Sequence, residues 1–136
     1  MGSFQNQIVL VTGAGRSRGR SIAQAFASQG AIIAANDLTP INLDETVRQI
    51  TANGGQAKEY IFDIAKKMPV QALLAQVLED WGQLDICIHC AQVKPKAALL
   101  DMDEWDWRRT IDVNLSSVFF LTQSAGRIMR QQGHGR

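Results

Sequence analysis

Reactive side chains are scarce in this chain of 136 residues, which has two cysteines and a single tyrosine. Charged residues make up 20% of the sequence, and the formal net charge is +1 with no block of like charges. The chain therefore lacks the basic surface that nucleic acid or an anionic membrane would require. No apolar run approaches the ~20 residues of a transmembrane helix, and the first residues lack the profile of a signal peptide. We expect no nucleic-acid partner, no membrane partner, and a cytoplasmic protein with free thiols.

The chain does contain a regular alternation of two patterns over a length that suits one domain. Near-continuous apolar runs, which are typical of strands buried on both faces, lie at 8–11, 31–35, 57–62 and 84–88. Helical patterns lie between and after them, at 21–28, 43–52, 70–81 and 103–132. Glycines follow the first three helical patterns and predict their ends. The alternation predicts an α/β fold with a parallel sheet and helices on both faces.

The first apolar run breaks at Thr12 into a glycine-rich segment that leads to a helical pattern. A buried strand followed by a glycine turn and a helix N-terminus presents free backbone N–H groups and the positive end of a helix dipole. This arrangement predicts a phosphate site. In the alternative interpretation the glycines only permit a tight turn with close helix packing. The general dinucleotide pattern G-x-G-x-x-G fits incompletely, because its third glycine falls on Arg18 and Gly19 comes one residue late.

The spacing from Thr12-Gly13 to Gly19 resembles the T-G-x-x-x-G-x-G turn of short-chain dehydrogenases/reductases. Other segments resemble that family in the same order along the whole chain: Asp37, Asp63-Ile64, His89-Cys90-Ala91-Gln92 in place of the usual Asn-Asn-Ala-Gly, and Asp112-Val113-Asn114-Leu115. The resemblance implies a Rossmann-like fold with strand order 3-2-1-4. It also implies that residues 1–136 form one NAD(P)-binding domain that stops before a fifth strand.

In such a sheet, ligands bind beyond the carboxyl ends of the first and fourth strands. The resemblance implies that a nicotinamide dinucleotide contacts Gly13, Arg16, Ser17, Arg18, Gly19, Asp37, Leu38, Asp63, Ile64, Cys90, Ala91 and Gln92. Asp37 lies 24 residues after Gly13, near the distance at which a carboxylate binds the ribose hydroxyls and repels a 2′-phosphate, so NAD is favoured. Arg16 instead favours NADP, because members of the family that use NADP often have a basic residue at this place in the turn.

Two of these aspartates have alternative interpretations. Asp37 is either the ribose ligand or a turn residue before Thr39-Pro40. The resemblance implies that Asp63 accepts a hydrogen bond from the adenine amino group, whereas its position before a helical pattern is also typical of an N-cap.

Besides His89 and Cys90, three residues depart from the family pattern. Ser17 replaces a glycine, and its Cβ crowds the pyrophosphate unless its hydroxyl compensates with a hydrogen bond. Arg18 replaces an aliphatic residue and either clasps the phosphates or points to solvent. Gln92 replaces a glycine, so that if it blocks the crevice its replacement by glycine is expected to tighten the binding of NADH.

The catalytic residues of the family are largely missing from this sequence. Asn114 resembles the helix asparagine of the catalytic tetrad, and the alternative is a polar residue that satisfies backbone at a helix bend. The sole tyrosine, Tyr60, has Ile64 rather than lysine at the fourth position after it, so the Tyr-x-x-x-Lys motif is absent. We expect the dinucleotide-binding half of an oxidoreductase that needs completion before it acts on an alcohol or carbonyl substrate. A non-catalytic nucleotide-binding or interaction module is the alternative.

Three further expectations concern residues outside the cofactor motifs. Cys87 and Cys90 are three apart on a strand, where side chains point to opposite faces, so we expect neither a metal site nor a redox pair. Trp105 and Trp107 are expected to be packing residues. The run 84–88 is expected to be an unpaired edge strand, and the apolar face of the last helix is expected to join copies of the chain as a homo-oligomer.

Overall fold

The computed structural model describes residues 2–136, in which strands and helices alternate along the chain. The elements in chain order are β1 (Ile8–Thr12), α1 (Ser17–Ser28), β2 (Ile32–Asp37), α2 (Pro40–Ala52), β3 (Gln56–Ile61), α3 (Lys67–Trp81), β4 (Ile86–His89), α4 (Glu104–Ile111) and α5 (Ser117–Gln132). Each strand lies within two residues of a predicted apolar run.

The strands form one parallel sheet in the order β3-β2-β1-β4, which confirms the predicted Rossmann-like topology. Val11 of β1 lies opposite Ala35 of β2 and Ile88 of β4. Because the strands are parallel and in register, the segments that follow them emerge at one edge of the sheet.

The core lies on both faces of this sheet. On one face Leu10 packs with Leu73 of α3 and Leu121 of α5. On the other face Val11 packs with α1 and α2, including Leu43. All five residues of β1 are buried, so the near-continuous apolar run of this strand is explained by helices on both sides.

Burial of β3 on both faces was a wrong prediction. Tyr60 is buried, whereas Lys58, Glu59 and Ile61 are exposed. The strand is at the edge of the sheet, so β2 is its only strand partner and its other edge has no neighbouring strand.

Three helices begin earlier than their apolar patterns indicate. Predicted starts at Ser21, Leu43 and Val70 become Ser17, Pro40 and Lys67 in the structure. The added first turns are mostly exposed and contain no large buried apolar residue, so hydrophobic periodicity does not reveal them.

The predicted helix at 103–132 is interrupted. The segment Asp112–Ser116 is a π-helix that joins α4 to α5. The expectation that Trp105 and Trp107 are packing residues is also wrong, because they are 68% and 56% exposed. No residue of α4 is buried, so neither tryptophan is part of the core.

The outer edge of β4 is partly paired, which corrects the expectation of an unpaired edge. Arg136 donates its backbone N–H to the Asp85 carbonyl at 2.9 Å, and Cys87 donates its N–H to the Arg136 carbonyl at 2.8 Å. Within residues 2–136, none of the helices combines the length and apolar character needed to cross a membrane.

Candidate functional site

A cleft of about 710 Å³ opens at the carboxyl edge of the sheet. All the predicted cofactor-contacting residues line it: Gly13, Arg16, Ser17, Arg18, Gly19, Asp37, Leu38, Asp63, Ile64, Cys90, Ala91 and Gln92. The sequence did not indicate a place in the cleft for other lining residues, among them Asn36, Phe62, Val93, Lys94, Pro95, Trp105, Asp106 and Arg109. Most of these follow a strand or lie on α4, where no motif marks them.

The glycine turn packs tightly against the segment after β4. Gly13 has a φ of +65°, and a Cβ on it would lie 2.7 Å from the backbone nitrogen of Ala91. A Cβ on Gly19 would collide with the Gly13 carbonyl oxygen. Gly13 therefore requires glycine for conformation and for space, and Gly19 requires it for space. The tight turn brings the N-terminus of α1 directly to the floor of the cleft.

The N-terminus of α1 offers free backbone donors. No side chain within residues 2–136 caps this helix, and its first turn has no acidic residue. Uncapped N–H groups at a helix N-terminus attract anions. Arg16 and Arg18 are exposed on the rim beside it, so two cations stand next to these donors.

Ser17 begins α1 in the left-handed region, with a φ of +52°. This conformation favours glycine, the residue that the resemblance implies for this position. The serine thus accepts a strained backbone so that the chain can enter the helix.

Asp37 is held by two backbone donors. Its Oδ2 accepts from Gly15 N–H at 2.9 Å and its Oδ1 accepts from Leu38 N–H at 2.7 Å. A Cβ on Gly15 would lie 2.6 Å from Asp37 Oδ2, so a larger residue there would displace the carboxylate. The glycine turn and the end of β2 are therefore connected through this side chain, which also lines the cleft.

Arg20 holds the same turn from the helix side. Its guanidinium donates to the carbonyl oxygens of Gly15 and Asn42 and, at 2.9 Å, to the hydroxyl oxygen of Thr46. Gly15 is thus fixed through its N–H by Asp37 and through its carbonyl by Arg20. No motif in the sequence indicates this role, because the partners lie on α2.

Thr12 connects β1 to the segment after β4. Its hydroxyl oxygen accepts from the N–H groups of Cys90 at 3.0 Å and Ala91 at 3.3 Å. It also lies 2.7 Å from His89 Nδ1, and the other ring nitrogen lies 3.0 Å from the Ser117 hydroxyl oxygen. Since the Ser117 hydroxyl already donates to the Val113 carbonyl, the network assigns the proton to His89 Nε2 and leaves Nδ1 as an acceptor.

Burial shapes the titration of the groups beside this network. It lowers the pKa of His89, so the neutral ring is favoured. Burial raises the pKa of the Cys90 thiol, an effect that the Arg18 charge opposes. Burial also raises the pKa of the Cys87 thiol to about 12. Both cysteines are free; Cys87 packs against the core, whereas Cys90 lines the cleft.

Asn114 lies outside the set of cleft-lining residues. Its Oδ1 accepts from Val93 N–H at 2.9 Å, and its Nδ2 donates to the Val93 carbonyl at 2.8 Å. The side chain lies in the π-helical segment and satisfies backbone of the loop after β4. This geometry matches the interpretation of Asn114 as a residue that satisfies backbone at a helix bend.

Asp63 follows the end of β3 and lines the cleft. Its Oδ1 accepts from Ala65 N–H at 3.0 Å, and its Oδ2 lies 3.3 Å from Nη1 of Arg109 on α4. Ile64 next to it is buried. The end of this site distant from the glycine turn therefore combines an apolar residue with an ion pair.

Comparison with known proteins gives one consistent family. The family model described as short chain dehydrogenase matches residues 7–136. The chain is 35% identical over 132 residues to the short-chain reductase protein NovJ of Streptomyces niveus, covering 97% of this chain and 50% of that protein. It is 33% identical to the (2S)-[(R)-hydroxy(phenyl)methyl]succinyl-CoA dehydrogenase subunit BbsD of Thauera aromatica, covering 98% of this chain and 54% of that protein.

Solved structures agree with this result. A short-chain dehydrogenase/reductase from Burkholderia xenovorans superposes with a TM-score of 0.94 at 29% identity, covering 99% of this chain and 56% of that one. A short-chain alcohol dehydrogenase from Sinorhizobium meliloti 1021 gives a TM-score of 0.90 at 34% identity, covering 96% of this chain and 52% of that one. The chain spans about half the length of the relatives it matches.

Proposed function

The chain belongs to the short-chain dehydrogenase family, and from this membership we propose that it is the dinucleotide-binding half of an NAD-dependent oxidoreductase. In the complete protein a hydride passes between the nicotinamide and an alcohol or carbonyl substrate. The family binds NAD or NADP. The preference for NAD is part of the proposal, as are the roles of the cleft residues and the assignment of residues 1–136 to one incomplete cofactor domain.

The observation that carries the proposal is the convergence of an uncapped helix N-terminus and a fixed carboxylate in one cleft. The turn at Gly13 and Gly19 and the start of α1 suit a pyrophosphate, because the backbone N–H groups are free to donate. Asp37, held by the N–H of Gly15, suits the ribose hydroxyls of the adenosine half. Arg16 and Arg18 add positive charge at the rim, where the phosphates would lie.

Cofactor choice follows from the charge of Asp37. An ionised carboxylate accepts hydrogen bonds from the 2′- and 3′-hydroxyls and repels a 2′-phosphate. Arg16 is exposed and would attract that phosphate, so the two residues act in opposite directions. Because Asp37 is held in place by two backbone donors, we give it the larger weight.

The test is a fluorescence titration of the chain with NADH and with NADPH. Asp37→Asn keeps the size of the side chain and one acceptor oxygen but removes the charge, so the affinity ratio should move towards NADPH by about tenfold. Asp44→Asn removes an exposed carboxylate from α2 and is the matched control, with no change expected. If the ratio of NADH affinity to NADPH affinity is the same in Asp37→Asn as in the parent chain, the assigned role is refuted.

A non-catalytic nucleotide-binding or interaction module is the second candidate, and it is favoured by Asn114, which bonds to the backbone of Val93 and does not line the cleft. The 136 residues contain no Tyr-x-x-x-Lys. Under the leading proposal the missing residues belong to the half of the relatives that this chain does not span, and Asn114 is the one tetrad residue present. We expect no turnover of any alcohol or carbonyl compound by this chain alone. Turnover on addition of a separately produced carboxyl-terminal half would support the oxidoreductase over the module.

Self-association and location belong to the same proposal. Leu115, Val118 and Phe119 are exposed on one side of the last helical segments, which suits a second copy of this chain. Light scattering should show an oligomer that Phe119→Glu converts to a monomer, and a monomeric parent chain would refute this assignment.

A cytoplasmic location is supported by the free thiols of Cys87 and Cys90.

A further inference from the structure

The ion pair between Asp63 and Arg109 joins two elements that no sequence motif connects. Nη1 of Arg109 lies 3.3 Å from Oδ2 of Asp63, and the two side chains are 26% and 22% exposed. The residues are 46 positions apart, one just after β3 and the other on α4. Both line the cleft, so the pair is part of its wall.

The pair fixes the direction of the Asp63 carboxylate. Oδ1 accepts from the N–H of Ala65 at 3.0 Å, while Oδ2 faces the guanidinium. A carboxylate has about four lone-pair sites on its two oxygens, so acceptor capacity remains after these two contacts. A carboxylate accepts hydrogen bonds and donates none, and its contact with the guanidinium is a charge-assisted one.

The position of Arg109 is itself constrained. Its helix continues into the π-helical segment Asp112–Ser116, where Asn114 makes two hydrogen bonds to the backbone of Val93. α4 therefore contacts the loop after β3 through Arg109, and the π-helical segment that follows α4 contacts the loop after β4 through Asn114.

We propose that Arg109 is a positioning residue that holds the Asp63 carboxylate as a hydrogen-bond acceptor aimed at the base of the bound dinucleotide. The carboxylate then selects a purine with an exocyclic amino group over a purine with a carbonyl at the same position. This inference rests on the proposed dinucleotide-binding function. It assigns Arg109 an effect on base selectivity that does not require the guanidinium to touch the base.

The chemistry distinguishes adenine from hypoxanthine at one atom. Adenine presents an amino group, which donates to an ionised carboxylate. Hypoxanthine presents a carbonyl oxygen there, and two acceptors facing each other leave both unpaired. Removal of the guanidinium releases Oδ2, so the carboxylate is free to turn towards solvent and the distinction between the two bases weakens.

The experiment compares NADH with reduced nicotinamide hypoxanthine dinucleotide by fluorescence titration of the chain. We expect the parent chain to prefer NADH by about tenfold, the lower end for a hydrogen bond to a charged group that is partly exposed. Arg109→Gln should reduce that preference to about twofold. Arg109→Lys should recover most of it, because the ammonium group restores the positive charge beside Oδ2.

A matched control is present on the same helix. Arg108 is paired with Glu104 of its own helix at 2.9 Å, and its side chain is 72% exposed. Arg108→Gln removes one positive charge from the same helix without changing the contact with Asp63. This variant should therefore prefer NADH as strongly as the parent chain does. Asp63→Asn provides an independent variant should Arg109→Gln fail to fold, and it should also lose the preference.

Each outcome decides the question. Loss of preference in Arg109→Gln, with recovery in Arg109→Lys and no change in Arg108→Gln, supports the inference. An unchanged preference in Arg109→Gln, or equal weakening of both dinucleotides, overturns it while leaving the dinucleotide-binding function intact. If the folded parent chain binds neither compound, the proposed function fails and this inference fails with it.

Discussion

Replacing Ser17 with glycine removes a strained backbone position at the entrance of the cleft. Ser17 has a φ of +52°, in the left-handed region, and it is the first residue of α1. Its side chain is exposed and lines the cleft at the helix N-terminus. The substitution therefore changes two properties at once, the strain in the folded chain and the space beside the expected pyrophosphate.

The expected change in stability follows from two opposing terms. A non-glycine residue in the left-handed conformation costs about 1–2 kcal/mol relative to its preferred regions. Glycine increases the conformational entropy of the unfolded chain, which offsets about 0.4–1 kcal/mol of that gain. The net result is a stabilisation of roughly 1 kcal/mol, which corresponds to a rise in Tm of about 3–5 °C for a chain of this size.

The assay measures thermal unfolding and NADH affinity on the same preparations. Ser17→Gly should raise the Tm and, because the Cβ is removed from the phosphate-binding turn, should also tighten NADH severalfold. Asn6→Gly is the matched control, since Asn6 also has a positive φ, of +62°, and lies away from the cleft. It should raise the Tm by less, because asparagine tolerates this conformation better than serine, and should leave the affinity unchanged.

Two results would refute the reasoning, each at a different step. A Tm that is unchanged or lower in Ser17→Gly would show that the serine backbone is not strained. A weaker affinity for NADH would show that the Ser17 hydroxyl contributes a hydrogen bond to the cofactor rather than crowding it.

Three further substitutions test the turn, the histidine network and the rim. Gly19→Ala should destabilise the chain by about 2–3 kcal/mol in denaturant titrations, because the new Cβ collides with the Gly13 carbonyl. Gly126→Ala, in open space on α5, should stabilise the chain slightly. Equal effects of the two substitutions would contradict this prediction. Burial lowers the pKa of His89 below 6.5, so its neutral form contributes stability above pH 6.5 that is lost as the pH falls towards the folded-state pKa. His89→Asn should reduce the fall in Tm between pH 7.5 and pH 5.5, and an identical fall in both proteins would exclude the histidine as its source. Gln92→Gly should tighten NADH severalfold in a fluorescence titration, and an unchanged Kd would show that Gln92 leaves the crevice open.

The fold was predictable because its main determinants are local and repeated. The sequence shows β1 as an apolar run. It also shows the end of α3 as a glycine, Gly82, which has a φ of +78°. The order of the strands came from the family resemblance, which the sheet confirms. The misjudged parts were those set by neighbours, such as the exposed surface of β3 at the sheet edge and the exposed Trp105.

The residues that line the cleft could be predicted because their motifs follow strands of a parallel sheet, whose carboxyl ends meet at one edge. The contacts that fix it were not predictable, because they join residues distant along the chain. Arg20 reaches the turn and α2 together, Thr12 anchors the backbone of Cys90, and Arg109 pairs with Asp63. Each depends on helix position and side-chain direction, which residue spacing alone does not encode.

The most direct test is nuclear magnetic resonance of the ¹⁵N-labelled chain titrated with NAD. If the cleft binds the dinucleotide, the backbone amide signals of Gly13, Gly19 and Ala91 should shift together and saturate at one stoichiometry, while those of α5 should stay in place. A folded chain whose cleft amides do not move at millimolar NAD, or whose shifts are confined to α5, would contradict a dinucleotide-binding function.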